Sequence, residues 1–103
     1  MKKLILTIFM FASGAFIFAQ NGIVKGTITD ALSNEPIGFA NVLVLGADQG
    51  TTTDIDGAFE ITGLEPGLYD VRASFIGYEE VTEFEVQVTN SKPAVVNFKL
   101  SEA

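Results

Sequence analysis

Asp54-Ile55-Asp56-Gly57-Ala58-Phe59-Glu60-Ile61 joins an acidic glycine turn to a strand that alternates apolar and polar residues. Glu65-Pro66-Gly67-Leu68-Tyr69 follows, closes that strand with a second turn and begins the next one. Turns placed this closely around short alternating runs are typical of a small antiparallel β-sandwich. The stretch therefore predicts an all-β fold.

The same alternation continues on both sides of this stretch. About seven short runs follow one another at roughly ten-residue spacing, which is the pattern of a seven-stranded antiparallel sandwich. Helical periodicity is absent after the first 20 residues. The predicted strands are Ile23–Asp30, Ala40–Leu45, Thr51–Thr53, Ala58–Thr62, Leu68–Phe75, Val81–Val88 and Val96–Leu100.

Three of these runs carry specific expectations about pairing and burial. Ala40–Leu45 is almost continuously apolar, which predicts a strand buried on both faces. The Asp54–Gly57 turn is expected to pair Thr51–Thr53 with Ala58–Thr62 as a hairpin. In Val81–Val88, simple alternation places the side chains of Phe84, Val86 and Val88 in the core.

The first 19 residues have the features of a secretory signal peptide. Lys2 and Lys3 precede an apolar stretch from Leu4 to Phe18, and Ala19 is a small residue at the expected cleavage point. A stretch of roughly 15 residues is shorter than the ~20 that span a bilayer. An uncleaved anchor is the alternative. We therefore predict a signal peptide at 1–19, a domain at 20–103, and export to the periplasm or the outer membrane.

The predicted mature domain is strongly acidic. All 13 acidic side chains lie after residue 20, whereas two of the six basic ones, Lys2 and Lys3, lie in the signal peptide. Residues 20–103 therefore carry 13 acidic against four basic side chains, a net charge of −9. This charge argues against binding to nucleic acid and against direct binding to anionic lipid. The chain has no Cys, so the exported domain must rely on core packing instead of disulfides.

The side chains available for catalysis are few. The chain has no His and no Cys, which removes the commonest general base, the thiolate nucleophile and thiolate zinc sites. The adjacent acids Glu79 and Glu80 point to opposite faces if they lie in a strand, so they do not form a carboxylate pair. We therefore expect no catalytic residues, no cofactor and no enzymatic activity.

Asp54 and Asp56 are the candidate metal ligands. Together with Gly57 they resemble part of an oxygen-rich calcium loop, but Gly57 falls at the fourth position of that loop instead of the sixth. The favoured alternative is structural: an Asp-Gly turn in which glycine adopts a positive φ and aspartate bonds to the backbone. We predict no metal site.

Aromatic side chains offer a second candidate site, a stacking platform for carbohydrate. Phe59, Tyr69 and Phe75 fall on the inward phase of their strands, which favours a place in the core. Tyr78 follows Gly77 and is the candidate for a surface contact.

The order of motifs resembles that of carboxypeptidase-regulatory-like domains. Val24–Asp30 and Glu35–Val42 match the opening "G-x-V-x-D" and "EP-L-x-GA-x-V" elements, and Thr53–Phe59 matches "T-D-x-D-G-x-F". Phe75-Ile76-Gly77-Tyr78 matches the "F-x-GY" that often follows. Phe39 departs from the pattern, because a small residue is common at that position. The resemblance covers Gly22–Leu100 and implies a transthyretin-like Greek-key sandwich.

Such domains resemble those that precede the plug and barrel of TonB-dependent outer-membrane receptors in Bacteroidetes-type bacteria. The resemblance implies an accessory interaction module whose partner is a protein, either the receptor plug and barrel or a periplasmic energy-coupling protein. No catalytic residue comes with the family. The alternative is a free-standing periplasmic or surface domain that binds glycan or peptide. The chain is either complete or a truncated piece of a receptor.

Overall fold

Eight β-strands make up the regular secondary structure of the part of the chain that the structure describes. The structure is a computed structural model and describes residues 21–103, so the predicted signal peptide lies outside the described residues. The strands are β1 (Gly22–Asp30), β2 (Asn41–Leu45), β3 (Gln49–Thr52), β4 (Ala58–Leu64), β5 (Gly67–Ser74), β6 (Val81–Val88), β7 (Ala94–Val95) and β8 (Phe98–Leu100).

The strands form two sheets. The first has the order β4-β1-β7, and β8 continues along β1 beyond β7. The second has the order β3-β2-β5-β6, with antiparallel pairing throughout. The predicted all-β sandwich is confirmed.

The last predicted strand, Val96–Leu100, is shortened to β8, and a separate short strand, β7, precedes it; both run parallel to β1. Val24 and Lys25 pair with Ala94 and Val95, and Ile28–Asp30 pair with Phe98–Leu100. Between β7 and β8, the chain passes so close to Gly26 of β1 that an added Cβ would overlap the Val96 carbonyl oxygen. This close approach explains why pairing with β1 is interrupted at Val96 and Asn97 and why glycine occupies position 26. The separate β7 raises the strand number from the predicted seven to eight.

The core lies between the two sheets and consists of aliphatic side chains with two phenylalanines. Alternate positions of β1, β2, β4, β5 and β8 point into it, as expected for strands with one buried face. Each fully buried large side chain stabilises the fold by about 1.5–3 kcal/mol. The buried apolar residues are Val24, Ile28, Ile37, Ala40, Val42, Val44, Phe59, Ile61, Leu64, Val71, Ala73, Val86, Val88, Val96, Phe98 and Leu100.

The predicted hairpin through the Asp54–Gly57 turn is wrong. The turn itself forms, and its backbone bonds are Asp54 N to Ala58 O and Gly57 N to Asp54 O, both 2.9 Å. However, β3 pairs with β2 and β4 pairs with β1, so the turn carries the chain from one sheet to the other. Pairing with β1 begins within the turn, because the Ile28 amide donates to the Gly57 carbonyl at 2.8 Å.

The prediction that Ala40–Leu45 is buried on both faces is also wrong. Strand β2 begins at Asn41 and buries only Val42 and Val44, whereas Leu43 faces out and is 42% exposed. A sandwich of two sheets covers only the inner face of each sheet, so the apolar outward residues of β2 remain partly in solvent.

The predicted inward orientation of Phe84 is the third error. Val86 and Val88 are buried as expected, but Phe84 is 69% exposed. A β-bulge interrupts the alternation: the register between β5 and β6 shifts between Tyr69 and Val71. Glu85 adopts φ 57° at this point, and its amide donates to the Asp70 carboxylate at 3.0 Å. The extra residue turns Phe84 out of the core.

Candidate interaction surface

The Asp54 side chain stabilises the backbone of the acidic glycine turn. The Oδ1 atom of Asp54 accepts hydrogen bonds from the amides of Asp56 and Ala58, both at 2.9 Å. Gly57 has φ 76°, which confirms the predicted positive φ. Asp56 is exposed and lies at the tip of the turn. The Asp54 side chain thus serves the turn, as the structural alternative to a calcium loop predicts.

Within residues 21–103, no group of three or more His, Cys, Asp or Glu side chains is arranged to hold a metal ion. Asp54 and Asp56 lie in the turn as a pair, without a third such side chain placed beside them in that range. The chain has no His and no Cys, so it offers no imidazole general base and no thiolate nucleophile.

Thr53 organises the loop that precedes β2. It is buried, and its Oγ1 donates to the Ile37 carbonyl at 2.8 Å and accepts from the Ala40 amide at 2.9 Å. Its backbone carbonyl accepts from the Phe39 amide, and its own amide donates to the Ala40 carbonyl, both at 2.9 Å. These four bonds fix the backbone from Ile37 to Ala40 against the start of the acidic turn.

This fixed loop presents Phe39 to solvent. The residue adopts φ 63°, in the left-handed region where a bulky side chain is unusual, and its side chain is 70% exposed. The neighbouring Gly38 packs so closely on the acidic turn that an added Cβ would lie 3.2 Å from the Ile55 Cα. Ile55 is itself 76% exposed. Two large exposed apolar residues, Phe39 and Ile55, thus lie on backbone segments that pack against each other.

A groove of about 740 Å³ runs from Phe39 across the first sheet. One wall is formed by Phe39 with Thr52–Asp54, and the other by Val95 and Asn97. Between the walls lie residues of β1 and β4. The lining is mostly apolar, and we refer to this feature as the Phe39 groove.

Two polar features mark the Phe39 groove. Lys25 of β1 and Glu60 of β4 are register partners on neighbouring strands, and both line the groove. The Asn97 Oδ1 atom accepts from the Thr27 amide at 3.1 Å and from the Thr27 hydroxyl at 3.0 Å, which fixes the far wall. Strand pairing and the Asn97–Thr27 hydrogen bonds thus hold these two features in place.

Tyr78, the predicted surface contact, lies elsewhere. Its side chain is half-buried, and its hydroxyl donates to the Asp30 Oδ2 atom at 2.6 Å. This hydrogen bond raises the pKa of Tyr78 to about 12, with smaller contributions from burial and from nearby carboxylates. The same bond, with amide hydrogen bonds from Ser33 and Leu32, lowers the pKa of Asp30.

Tyr78 also holds the segment that follows β8. Tyr78 forms an isolated bridge with Glu102, the Glu79 amide donates to the Ser101 carbonyl, and the Ala103 amide donates to the Gly77 carbonyl, both at 2.9 Å. The Tyr78 hydroxyl is hydrogen-bonded within the chain. The role of Tyr78 as a contact for an external partner stays a prediction. Of the other aromatic candidates, Phe59 is buried, and Tyr69 and Phe75 are partly buried against the core.

Sequence reasoning missed Thr53 and the whole Phe39 groove. Thr53 is a threonine in a polar run, and nothing in its immediate sequence indicates burial. One signal for Phe39 was available, since a phenylalanine replaces a small residue within an otherwise matching motif. The far wall depends on the strand break at Val96 and Asn97, which alternation along the chain does not reveal.

The fold and these surfaces define a class: a two-sheet β-sandwich module with a mostly apolar groove on its first sheet. The model of the carboxypeptidase regulatory-like domain matches residues 23–101. The chain belongs to this family.

Relatives of the chain include receptors and peptidases. It is 40% identical over 74 residues to the TonB-dependent receptor SusC of Bacteroides thetaiotaomicron, a match that covers 68% of this chain and 7% of the receptor. It is 38% identical over 80 residues to carboxypeptidase D of Drosophila melanogaster, covering 76% of this chain and 6% of that protein. The chain therefore spans only a small part of the length of the relatives that it matches.

A solved structure supports the fold. A chain from a type II Cohesin-X-Dockerin complex of Acetivibrio cellulolyticus superimposes with a TM-score of 0.65 at 21% identity, covering 76% of this chain and 56% of that one. Among residues 21–103, no helix is long and apolar enough to cross a membrane.

Proposed function

We propose that this chain is an exported, non-enzymatic interaction module that serves as the N-terminal accessory domain of a TonB-dependent outer-membrane nutrient receptor. The observation that carries the proposal is the 40% identity to one such receptor over 74 residues. The predicted signal peptide at residues 1–19 supports export, and the lack of His and Cys supports a role without catalysis.

The expected partner is a protein of the cell envelope. A receptor plug and barrel or a periplasmic energy-coupling protein would use the sandwich as a docking surface. The net charge of −9 on residues 20–103 disfavours nucleic acid and anionic lipid as partners. It also favours rapid association with basic protein surfaces.

The proposal is tested by co-purification from its own cell envelope. The tagged chain is cross-linked in cells, the membranes are dissolved in mild detergent, and the retained proteins are identified by mass spectrometry. We expect a receptor plug, barrel or energy-coupling protein, absent from a parallel preparation with an unrelated exported β-sandwich. Retention of none of these components in either preparation contradicts the proposal.

A further inference from the structure

We propose that the Phe39 groove docks an extended segment of a protein partner in which an apolar side chain is flanked by lysine or arginine. This inference rests on the proposed function, since it names the face that the interaction module would use and the chemistry that this face recognises.

The first observation that supports this proposal is the strained and exposed conformation of Phe39. A phenylalanine in the left-handed region is strained, and strain of this kind persists where the surrounding structure imposes it. The residue is 70% exposed, so hydrophobic burial within the isolated domain offsets little of this strain. The four hydrogen bonds of Thr53 nevertheless hold the backbone in this conformation. A partner that covers the ring would supply the missing burial.

The clustering of exposed apolar side chains is the second support. Phe39 and Val95 line the groove and are each more than 60% exposed, and Ile55, 76% exposed, directly follows the lining residue Asp54 in the chain. Large apolar residues scattered singly on a surface need no explanation, but a contiguous group around a groove marks an interaction site. An aromatic ring in such a position is a typical anchor point of a protein interface.

Charge identifies the chemistry of the occupant. The groove is lined by one basic side chain, Lys25, and two acidic ones, Asp54 and Glu60, so its lining carries a net charge of −1 in a domain of net charge −9. Asp56 adds a further exposed carboxylate two residues after Asp54. A lysine or arginine next to the apolar anchor complements this negative charge and can also stack on the Phe39 ring.

The test uses a short synthetic peptide with one tryptophan flanked on both sides by lysines. Because the chain contains no Trp, the peptide fluorescence reports binding directly. We expect saturable binding that weakens as salt is raised, together with NMR shifts at Phe39, Ile55 and Val95. A matched peptide with glutamate in place of lysine should not bind. Equal binding of the two peptides, or binding that ignores salt, overturns the proposal.

Phe39→Gly separates recognition from folding. Glycine accepts the positive φ, so this variant should unfold at a denaturant concentration no lower than that of the parent. Its affinity for the lysine peptide should fall about tenfold or more, since it loses the aromatic anchor. Leu32→Ala is the matched control, because Leu32 is 93% exposed away from the groove, and its affinity should not change. Parent-like affinity of Phe39→Gly overturns the proposal.

The two proposals fail in different ways. If Phe39→Gly still retains the receptor components that the parent retains, the groove is not the docking face, although the interaction module stands. If the parent retains no receptor component but binds the lysine peptide through Phe39, the groove stands and the receptor role falls. NMR shifts at Phe39 with a neutral oligosaccharide, and none with the peptide, would replace the protein segment by a glycan.

Discussion

At the scale of single residues, the Tyr78–Asp30 hydrogen bond links the end of β1 to the segment that pairs with Glu102. The bond favours the protonated phenol and the ionised carboxylate, which is why the pKa of Tyr78 rises and that of Asp30 falls. Each shift makes the stability of the domain depend on pH in a defined range.

We predict that the domain loses stability at alkaline pH through Tyr78. Its pKa of about 12 in the folded state exceeds the ~10 of an unfolded chain. The contribution of Tyr78 is therefore complete below pH ~10 and is lost as the pH rises through the folded-state pKa. Urea denaturation at a series of pH values measures this loss, which Tyr78→Phe should abolish. A parent and a Tyr78→Phe variant whose stabilities decline in parallel above pH ~10 would contradict the prediction.

At acidic pH, the same hydrogen bond makes stability depend on pH in the opposite direction, through Asp30. The folded-state pKa of Asp30 is lowered, so its contribution is present above the unfolded value and disappears as the pH falls through the folded one. This effect belongs to the same hydrogen bond, and Tyr78→Phe should weaken it without removing the bonds from Leu32 and Ser33.

Gly57 offers a second residue-scale prediction with an internal control. Gly57 and Gly63 both have positive φ, 76° and 80°, but only Gly57 is crowded: an added Cβ would lie 2.6 Å from the Ile28 carbonyl oxygen. That oxygen also accepts from the Ile37 amide. Gly63→Ala should cost about 1 kcal/mol for backbone strain, and Gly57→Ala about 3 kcal/mol, measured by urea denaturation. Equal costs would show that the crowding at Gly57 relaxes freely.

The sequence was most informative about residues whose role is local. The positive φ of Gly57 follows from the Asp-Gly pair itself, since both the conformation and the Asp54 side-chain bonds lie within the turn. Thr53 could not be recognised, because its hydrogen-bond partners at Ile37 and Ala40 are brought to it by the fold. The orientation of Phe39 depends on the same contacts with Thr53, which are distant in the sequence, so it could not be predicted from the sequence either.

At the scale of elements, alternation predicted the strands well and their partners poorly. The strand at Ala58 was found, but it pairs with β1 instead of β3, because a turn of the same chemistry can join two sheets as readily as two neighbours. The bulge that exposes Phe84 depends on the Asp70 side chain, which reaches from β5 to the Glu85 amide. Contacts between distant parts of the chain determine which strands pair. The periodicity of a single strand carries no information about these contacts.

Phe59 and Phe98 join β4 to β8 across the first sheet, and we predict that they act together. Their ring centroids are 6.2 Å apart at an interplanar angle of 41°, and both side chains are buried. Either change to alanine should cost about 3–5 kcal/mol, against a total stability of ~5–15 kcal/mol. A double-mutant cycle by urea denaturation should give a coupling of about 0.5–1.5 kcal/mol. Strict additivity would show that the rings contribute only separate burial.

At the scale of the whole molecule, negative charge opposes a core that has no covalent support. Residues 20–103 carry a net charge of −9 and no Cys, so hydrophobic burial alone must offset both chain entropy and electrostatic repulsion. Acidic side chains are concentrated along β6 and just before it, where four glutamates fall within residues 79–85. One of them, Glu80, has a basic partner in Arg72, with Nε and Oε1 3.9 Å apart. Charge on an edge strand of this kind also discourages pairing with other chains.

We predict that this repulsion can be measured and relieved at a single site. Screening at high salt should raise the midpoint of thermal unfolding of the parent. Glu83→Gln removes one exposed charge from the cluster at nearly constant shape, so it should unfold at a higher temperature than the parent in low salt and respond less to added salt. Glu80→Gln is the matched control. It removes the same charge but also breaks the ion pair with Arg72, so its unfolding temperature should rise less than that of Glu83→Gln. Identical midpoints for parent and Glu83→Gln at low salt would show that the β6 glutamates are too well solvated to repel one another.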